Sequence, residues 1–445
     1  MKRFFVCLLA LALLLPGMGR AEKASAFPAF FQVKYKVEER KFNSDRCFVS
    51  KEHVTTALSQ VDEEINALVD GFDDAMAGQM TPDKGKNPKR NSRLDIHVVN
   101  TRSGESALSF LVLARETYQR KQKQSPIAGR VYDMATGQKI TLNDLFSEDS
   151  EAWGVLADAV REQLNAYFPA QTADPEALNA LCTREALLET PFMLGPVCLS
   201  LHYEARTLYP KQGSLMRVTV PYSAMKGMMT EYGRKQTDNS NYKMVALTFD
   251  DGPAHTTTAT LLNNLRHNGA QATFFIVGDR IEEHAYIVLR ENDENHSIQS
   301  HHFKHTDTSK STIGRIQSYT EKMYKAMTET FGLGPLMLRA PYGIFDYFIK
   351  AKVNLPLIEW DVDTKDWTGK SSAAVLNVVK KEVKEGSIIL MHDIKDHTPE
   401  SGRLAAEWLY DNGYMCVTVE DLFMHYGREM VPNKIYYRVK TETSE

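Results

Sequence analysis

From residue 244 the chain repeats one pattern, a short apolar run followed by a stretch of helical period, and four of the six runs carry charged residues at their C-terminal ends. The runs are MVALTFDDG (244–252), QATFFIVG (271–278), LMLRAP (336–341), PLIEWDVD (356–363), GSIILMHD (386–393) and YMCVTV (414–419). TATLLNNLRHNGA (258–270) is an amphipathic helix between the first two. Such runs are buried parallel strands with crossover helices, which restricts the region to an α/β barrel or sheet. Ligands bind such folds at the C-terminal strand ends. Here those ends carry Asp250, Asp251, Arg339, Asp363 and His392.

The chain has 445 residues, and at roughly 100 to 200 residues per domain it has room for a further unit. Residues 27–229 read as α+β. FPAFFQVKYKVEER is strand-like, a helix is expected over residues 53–74, and RLDIHVVNTR and ALSFLVLARETYQ are neighbouring strands. RVYDMATGQKITLNDLF gives strand, turn, strand and short helix, and CLSLHYEARTLYP pairs with LMRVTVPYSAM. A division into subdomains of 27–120 and 121–229 fits this pattern. Polar residues 230–243 are expected as a linker, 244–428 as the repeating domain and 429–445 as a tail. TPDKGKNPKRNS (81–92) reads as an exposed connection.

Residues 1–26 have a basic start, an apolar run from Phe4 to Leu15 and small residues suited to cleavage after Ala21 or Ala26. That is the pattern of an export signal, and it places the mature chain in a periplasm, cell wall or extracellular space. An uncleaved anchor is the alternative; after cleavage no stable membrane span is expected. Cys182 and Cys198 are the expected disulfide because the loop between them is short, with buried thiols as the alternative. A net charge of -4 gives no electrostatic basis for a nucleic-acid partner. The oligomeric state is not legible.

HSIQSHHFKH (296–305) concentrates histidines beyond any packing need. His301 and His305, four apart, share a face if the segment is helical, and with Asp251 they make a three-ligand set for a catalytic divalent metal. His296 fits that face less well and His302 points away. Asp250 and Asp251 point in different directions on extended backbone, so one can hold metal while the other takes a proton. Arg339 can orient Asp250, and Asp363 or Asp366 can orient Arg339. Trp360 and Trp367 are candidate pocket walls or core residues. His392, at the same end of the fold, can donate a proton to a departing amine.

These segments resemble the NodB-homology polysaccharide deacetylases over roughly residues 240–425. TFDDGP matches the first motif, RAPYG the third, DTKDW the fourth and LMH the fifth. The second motif is matched by His301 and His305, with His302 in place of a Ser or Thr, and Asn295 and Gln299 in place of lead-in glycines. The resemblance implies a distorted (β/α) barrel preceded by an α+β region. It implies Asp250 as base, Asp251, His301 and His305 as metal ligands, Arg339 as the residue orienting the base with Asp366 as its partner, and His392 as acid. Pro253, Tyr342, Trp367 and Leu390 are implied as substrate contacts. Parts of residues 30–228 resemble an α+β module of unassigned function that precedes this domain in some bacterial cell-wall deacetylases.

The implied reaction is hydrolysis of N-acetyl groups on aminosugars of a glycan, foremost peptidoglycan, with one divalent metal. Zinc is the default, and cobalt, nickel and manganese are compatible with the same ligands. A backbone N–H within 253–255 is expected to support the oxyanion. The competing activity is removal of O-acetyl groups from xylan or another glycan. The competing class is an inactive envelope protein that binds glycan.

Overall fold

The computed structural model describes residues 27–42, 47–80, 92–118, 121–124 (backbone only) and 126–439. The expected leader, residues 81–91 of the expected connection and residues 440–445 of the expected tail lie outside the described residues.

Strands β1 (Lys34–Phe42), β2 (Cys47–Thr55), β3 (Ser92–Ser103), β4 (Ala107–Tyr118), β5 (Lys121–Gln124), β6 (Ile127–Asp133) and β7 (Gln138–Lys139) form one sheet. Its order is β1-β2-β3-β4-β6-β7, with β5 on β4, and of its pairs only β2 with β3 is parallel. The helix expected over 53–74 runs instead over Ser59–Ala77, because residues up to Thr55 pair along β1. Val61, Ile65, Val69 and Met76 recur at helical spacing and bury one stripe of that helix in the core beside the sheet.

A second antiparallel sheet joins β8 (Phe192–Leu194), β9 (Cys198–Glu204) and β10 (Leu215–Pro221). Helix Ala152–Asn165 packs with it through Leu156, Val160 and Leu164. The expected disulfide does not form. Cys182 caps the helix Pro175–Leu181 and its thiol donates to Leu178 O at 3.2 Å, whereas the Cys198 thiol, on β9, lies 3.8 Å from Asp421 Oδ1.

The expected linker is also corrected. Its polar residues build helix Glu231–Thr237, capped by the Thr230 hydroxyl, and bind the first sheet: Gly104 N–H donates to Asn239 Oδ1 at 2.9 Å and Gln236 Nε2 to Ser106 Oγ at 3.1 Å.

The remaining strands form a distorted barrel: β11 (Lys243–Asp250), β12 (Thr273–Ile276), β13 (Ser297–Ser300), β14 (Leu357–Ile358), β15 (Val362–Asp363), β16 (Ile388–His392), β17 (Tyr414–Val417) and β18 (Ile435–Tyr436). The parallel order is β13-β12-β11-β16-β15, with β17 beside β11 and β14 beside β18. LMLRAP, read as a strand, contributes a single bridging residue, Leu338, between Ser300 and Leu357. Pro335 and Pro341 flank it and lack the N–H that a longer ladder needs. The stretch beyond 428, read as a tail, supplies β18 on β14. Phe249, Phe274, Ile276, Ile389 and Met391 pack outward from the strands against helices Thr257–His267 and Thr398–Asp411.

Buried ion pairs join the first sheet to the barrel. Glu52 on β2 meets Arg266, and Arg115 on β4 donates to Asp293 Oδ2 at 2.8 Å. Among the described residues no helix is long and apolar enough to cross a membrane.

Candidate metal centre and active site

Strand register places the chemistry. Asp250, the last residue of β11, lies beside His392, the last residue of β16. Thr248 is two residues earlier on β11 and therefore on the same face as Asp250. Phe249 between them belongs to the outer core.

Arg339 is fully buried and all its contacts are directed. Nη1 donates to Asp250 Oδ1 at 2.8 Å and to Thr248 Oγ1 at 2.7 Å, while Nε and Nη2 donate to Ile358 O at 2.9 Å and Glu359 O at 3.0 Å. The guanidinium lies 4.2 Å from the Phe275 ring centre. It therefore grips one oxygen of Asp250 and leaves Oδ2 directed toward His301, whose Nε2 is 4.0 Å away.

Asp251 turns the other way, with φ of 76°. Its Oδ1 lies 3.4 Å from His301 Nε2 and 3.2 Å from His305 Nε2. His301 Nδ1 is 2.9 Å from Arg339 O, an acceptor only, so Nδ1 carries the proton and Nε2 presents its lone pair. The two imidazoles do not share a helical face, as the sequence suggested. Residues 301–305 form an irregular loop after β13, and the fold of that loop brings the rings to 5.2 Å.

One carboxylate oxygen and two ring nitrogens thus lie within 4.8 Å of one another. Asp251 Oδ1 is buried with no hydrogen-bond donor. Burial alone would raise the Asp251 carboxyl, but the facing His301 and His305 hold it well below the usual carboxylate range. Such a donor set, two imidazole nitrogens and a carboxylate oxygen converging on one point, fits a divalent cation.

Asp366 corrects a second expectation. It does not contact Arg339. Its Oδ1 lies 2.8 Å from His392 Nδ1 and its Oδ2 accepts from the His392 N–H at 2.8 Å. The reason is topological: Asp366 follows β15, whose parallel neighbour is β16. Burial opposes charging His392, but Asp366, then Asp250, raise its pKa above the ordinary imidazole value.

Other expected residues are placed less centrally. Leu390 and Pro253 are buried. Tyr342 and Trp367 are 64% and 54% exposed, so they stand at the rim, and the Tyr342 ring meets His305 edge-on at 4.5 Å. In the stretch expected to supply an oxyanion donor, Pro253 has no N–H and the Ala254 N–H donates to Thr258 Oγ1 at 2.8 Å. His296 and His302 serve the scaffold. His296 Nδ1 accepts from the Ala272 N–H, and the His302 ring packs edge-on against Phe348 at 5.0 Å. Asn295, where the family motif has glycine, adopts φ of 66°, a conformation that asparagine tolerates.

The sequence reading missed Thr248 and Glu359. Two-residue spacing from Asp250 could have flagged Thr248. Glu359 had no such signal. Its backbone carbonyl holds Arg339, and burial pushes its carboxyl up to about 7.

Residues 237–355 match the family model described as polysaccharide deacetylase. A peptidoglycan-N-acetylglucosamine deacetylase of Bacillus cereus is 31% identical over 194 residues, covering 42% of this chain and 91% of that protein. The chain belongs to the polysaccharide deacetylase family. Peptidoglycan-N-acetylglucosamine deacetylase PgdA of Listeria monocytogenes is 27% identical over 350 residues, 76% of this deacetylase and 74% of that protein. Among solved structures, peptidoglycan deacetylase PdaC from Bacillus subtilis has 27% identity and a TM-score of 0.41, covering 43% of this chain and 95% of that chain. The deacetylase is a metal-dependent hydrolase of the amide C–N bond in N-acetylated sugars.

Proposed function

We propose that this deacetylase removes acetyl groups from N-acetylglucosamine in peptidoglycan, outside the cytoplasm and with zinc as its metal. The observation that carries this reading is the convergence, at one barrel end, of the Asp251, His301 and His305 donors with the Asp250–Arg339 and His392–Asp366 pairs. The names of the relatives from Listeria and Bacillus cereus support peptidoglycan glucosamine as the substrate. The leader-like segment at residues 1–26 supports export.

A bound divalent cation would polarise the acetyl carbonyl and make a water more acidic. Asp250 Oδ2, left uncommitted by Arg339, accepts the proton of the attacking water. His392, oriented through Nδ1 by Asp366, gives a proton from Nε2 to the departing nitrogen, so that amine and acetate separate. Tyr342 and Trp367 flank the incoming glycan, and Leu390 lines the acetyl site. The α+β region at residues 27–229 supplies none of the hydrogen-bond partners described above for these residues.

The test is acetate release from N-acetylated peptidoglycan and chito-oligosaccharides before chelation, after it, and after zinc is restored. Release that disappears and returns supports the reading. No release from either glycan by zinc-loaded protein, with release from acetylated xylan, would transfer it to O-acetyl esters.

A further inference from the structure

Asp393, next to His392, takes no part in the chemistry above, yet it is fully buried and bears on the turn that carries both aspartates. Its backbone N–H donates to Asp250 O at 3.3 Å. Its Oδ2 accepts from the Thr258 hydroxyl, and Thr258 Oγ1 accepts the Ala254 N–H at 2.8 Å. Asp393 is therefore tied to the turn before Asp251 directly and after it through Thr258. Its carboxyl also lies against the middle of the turn. A Cβ added to Gly252 would sit 2.1 Å from Asp393 Oδ2 and 2.6 Å from Cγ. The residue between these ties, Asp251, has φ of 76°, a left-handed conformation that aspartate adopts more readily than most residues and that the ties on both sides of it select.

We propose that Asp393 is a positioning residue for the cation-binding turn. Acting with Thr258, it holds residues 250–254 in the conformation that aims Asp251 at His301 and His305, and it is the reason residue 252 is glycine. Gly252 lies outside the positive-φ set, so the obstacle to a side chain there is the Asp393 carboxyl and not the backbone. The proposal rests on Asp251 being a cation ligand.

The experiment measures zinc affinity of metal-free protein by calorimetry, together with kcat and KM for acetate release. Asp393→Ala is expected to weaken zinc binding about 10- to 100-fold, the range for residues that orient metal ligands, with kcat falling more than KM changes. Asp393→Asn keeps the shape and an acceptor for Thr258, and is expected to stay within about 3-fold of wild type on the same scale. Thr258→Val removes one hydroxyl without changing volume and guards against misfolding of the alanine variant. It is expected to weaken zinc several-fold. Gly252→Ala is expected to lose zinc more severely than Asp393→Ala, and Gly252→Ala combined with Asp393→Ala to bind better than Gly252→Ala alone, because the collision is gone. Wild-type zinc affinity in both Asp393→Ala and Thr258→Val, or a double variant no better than Gly252→Ala, would overturn the proposal. Unchanged zinc affinity in Asp251→Asn would instead overturn the ligand assignment beneath it.

Discussion

Two buried clusters in this chain both set carboxylates against basic side chains, and they end in opposite states. Where the first sheet meets the barrel, Glu52 accepts from Arg266 Nη2 at 2.6 Å and Nε at 3.0 Å, Arg266 also donates to Glu294, and Arg290 Nε donates to Glu294 at 2.7 Å. Burial alone would raise the Glu52 and Glu294 carboxyls, but Arg266, joined by Arg290 at Glu294, holds both well below the usual carboxylate range. At the barrel's C-terminal end, Asp251 faces imidazoles in place of guanidinium groups, and its Oδ1 receives no hydrogen bond. The first cluster contains its own cations and is complete on folding. The second offers ligand atoms to a cation that the chain does not supply. Charge alone does not mark a functional site; incomplete internal pairing of converging donors does.

The sharpest way to separate the two clusters is to damage each and read both activity and stability. Asp250→Asn should lower acetate release by about 10²- to 10⁴-fold while zinc binding, measured by elemental analysis, persists. His301→Ala should lose both. Loss of zinc from Asp250→Asn would show that Asp250 and Asp251 do not have separate roles.

Arg266→Met should cost about 3–5 kcal/mol in denaturant unfolding, because it leaves Glu52 and Glu294 buried beside a lost counter-charge. Its zinc affinity should stay at the wild-type value. Zinc at a hundredfold excess over Kd should add about 2.7 kcal/mol to the stability of wild type and of Arg266→Met alike; an increment confined to wild type would couple the two clusters.

The pH dependences should also part. The His392 pKa is raised, so the protonated acid persists above the ordinary imidazole value of about 6.5 and turnover falls on the alkaline side. Asp366→Asn should move that limb to lower pH; an unmoved limb would remove Asp366 as the cause. Glu52 and Glu294 have folded values below the unfolded value of about 4.3. Their stabilising contribution is therefore fully present above that pH and is lost as pH falls toward the folded values. Melting of the metal-free protein below about pH 4.3 should show this loss, with a shallower slope in Arg266→Met.

Much of the catalytic region was legible in the sequence because β-strands put residues at fixed places. Six apolar runs, four of them with charged groups at their C-terminal ends, announced an α/β fold with its chemistry at one end, and TFDDGP, the paired histidines, Arg339 and His392 all lie at that end. The sequence by itself determined which groups are available and that the strand register would gather them. Partnership was decided by the tertiary structure. Asp366 turns to His392 and not to Arg339 because β15 lies beside β16, and no local pattern encodes that adjacency. His301 and His305 converge through an irregular loop, with His302 between them packed on Phe348, and not through helical spacing. The linker reading at 230–243 failed because polarity looks the same whether water or a neighbouring sheet satisfies it. Local sequence fixes what a side chain can do; only the folded chain, by placing residues far apart in sequence within hydrogen-bond reach, fixes with whom it does it.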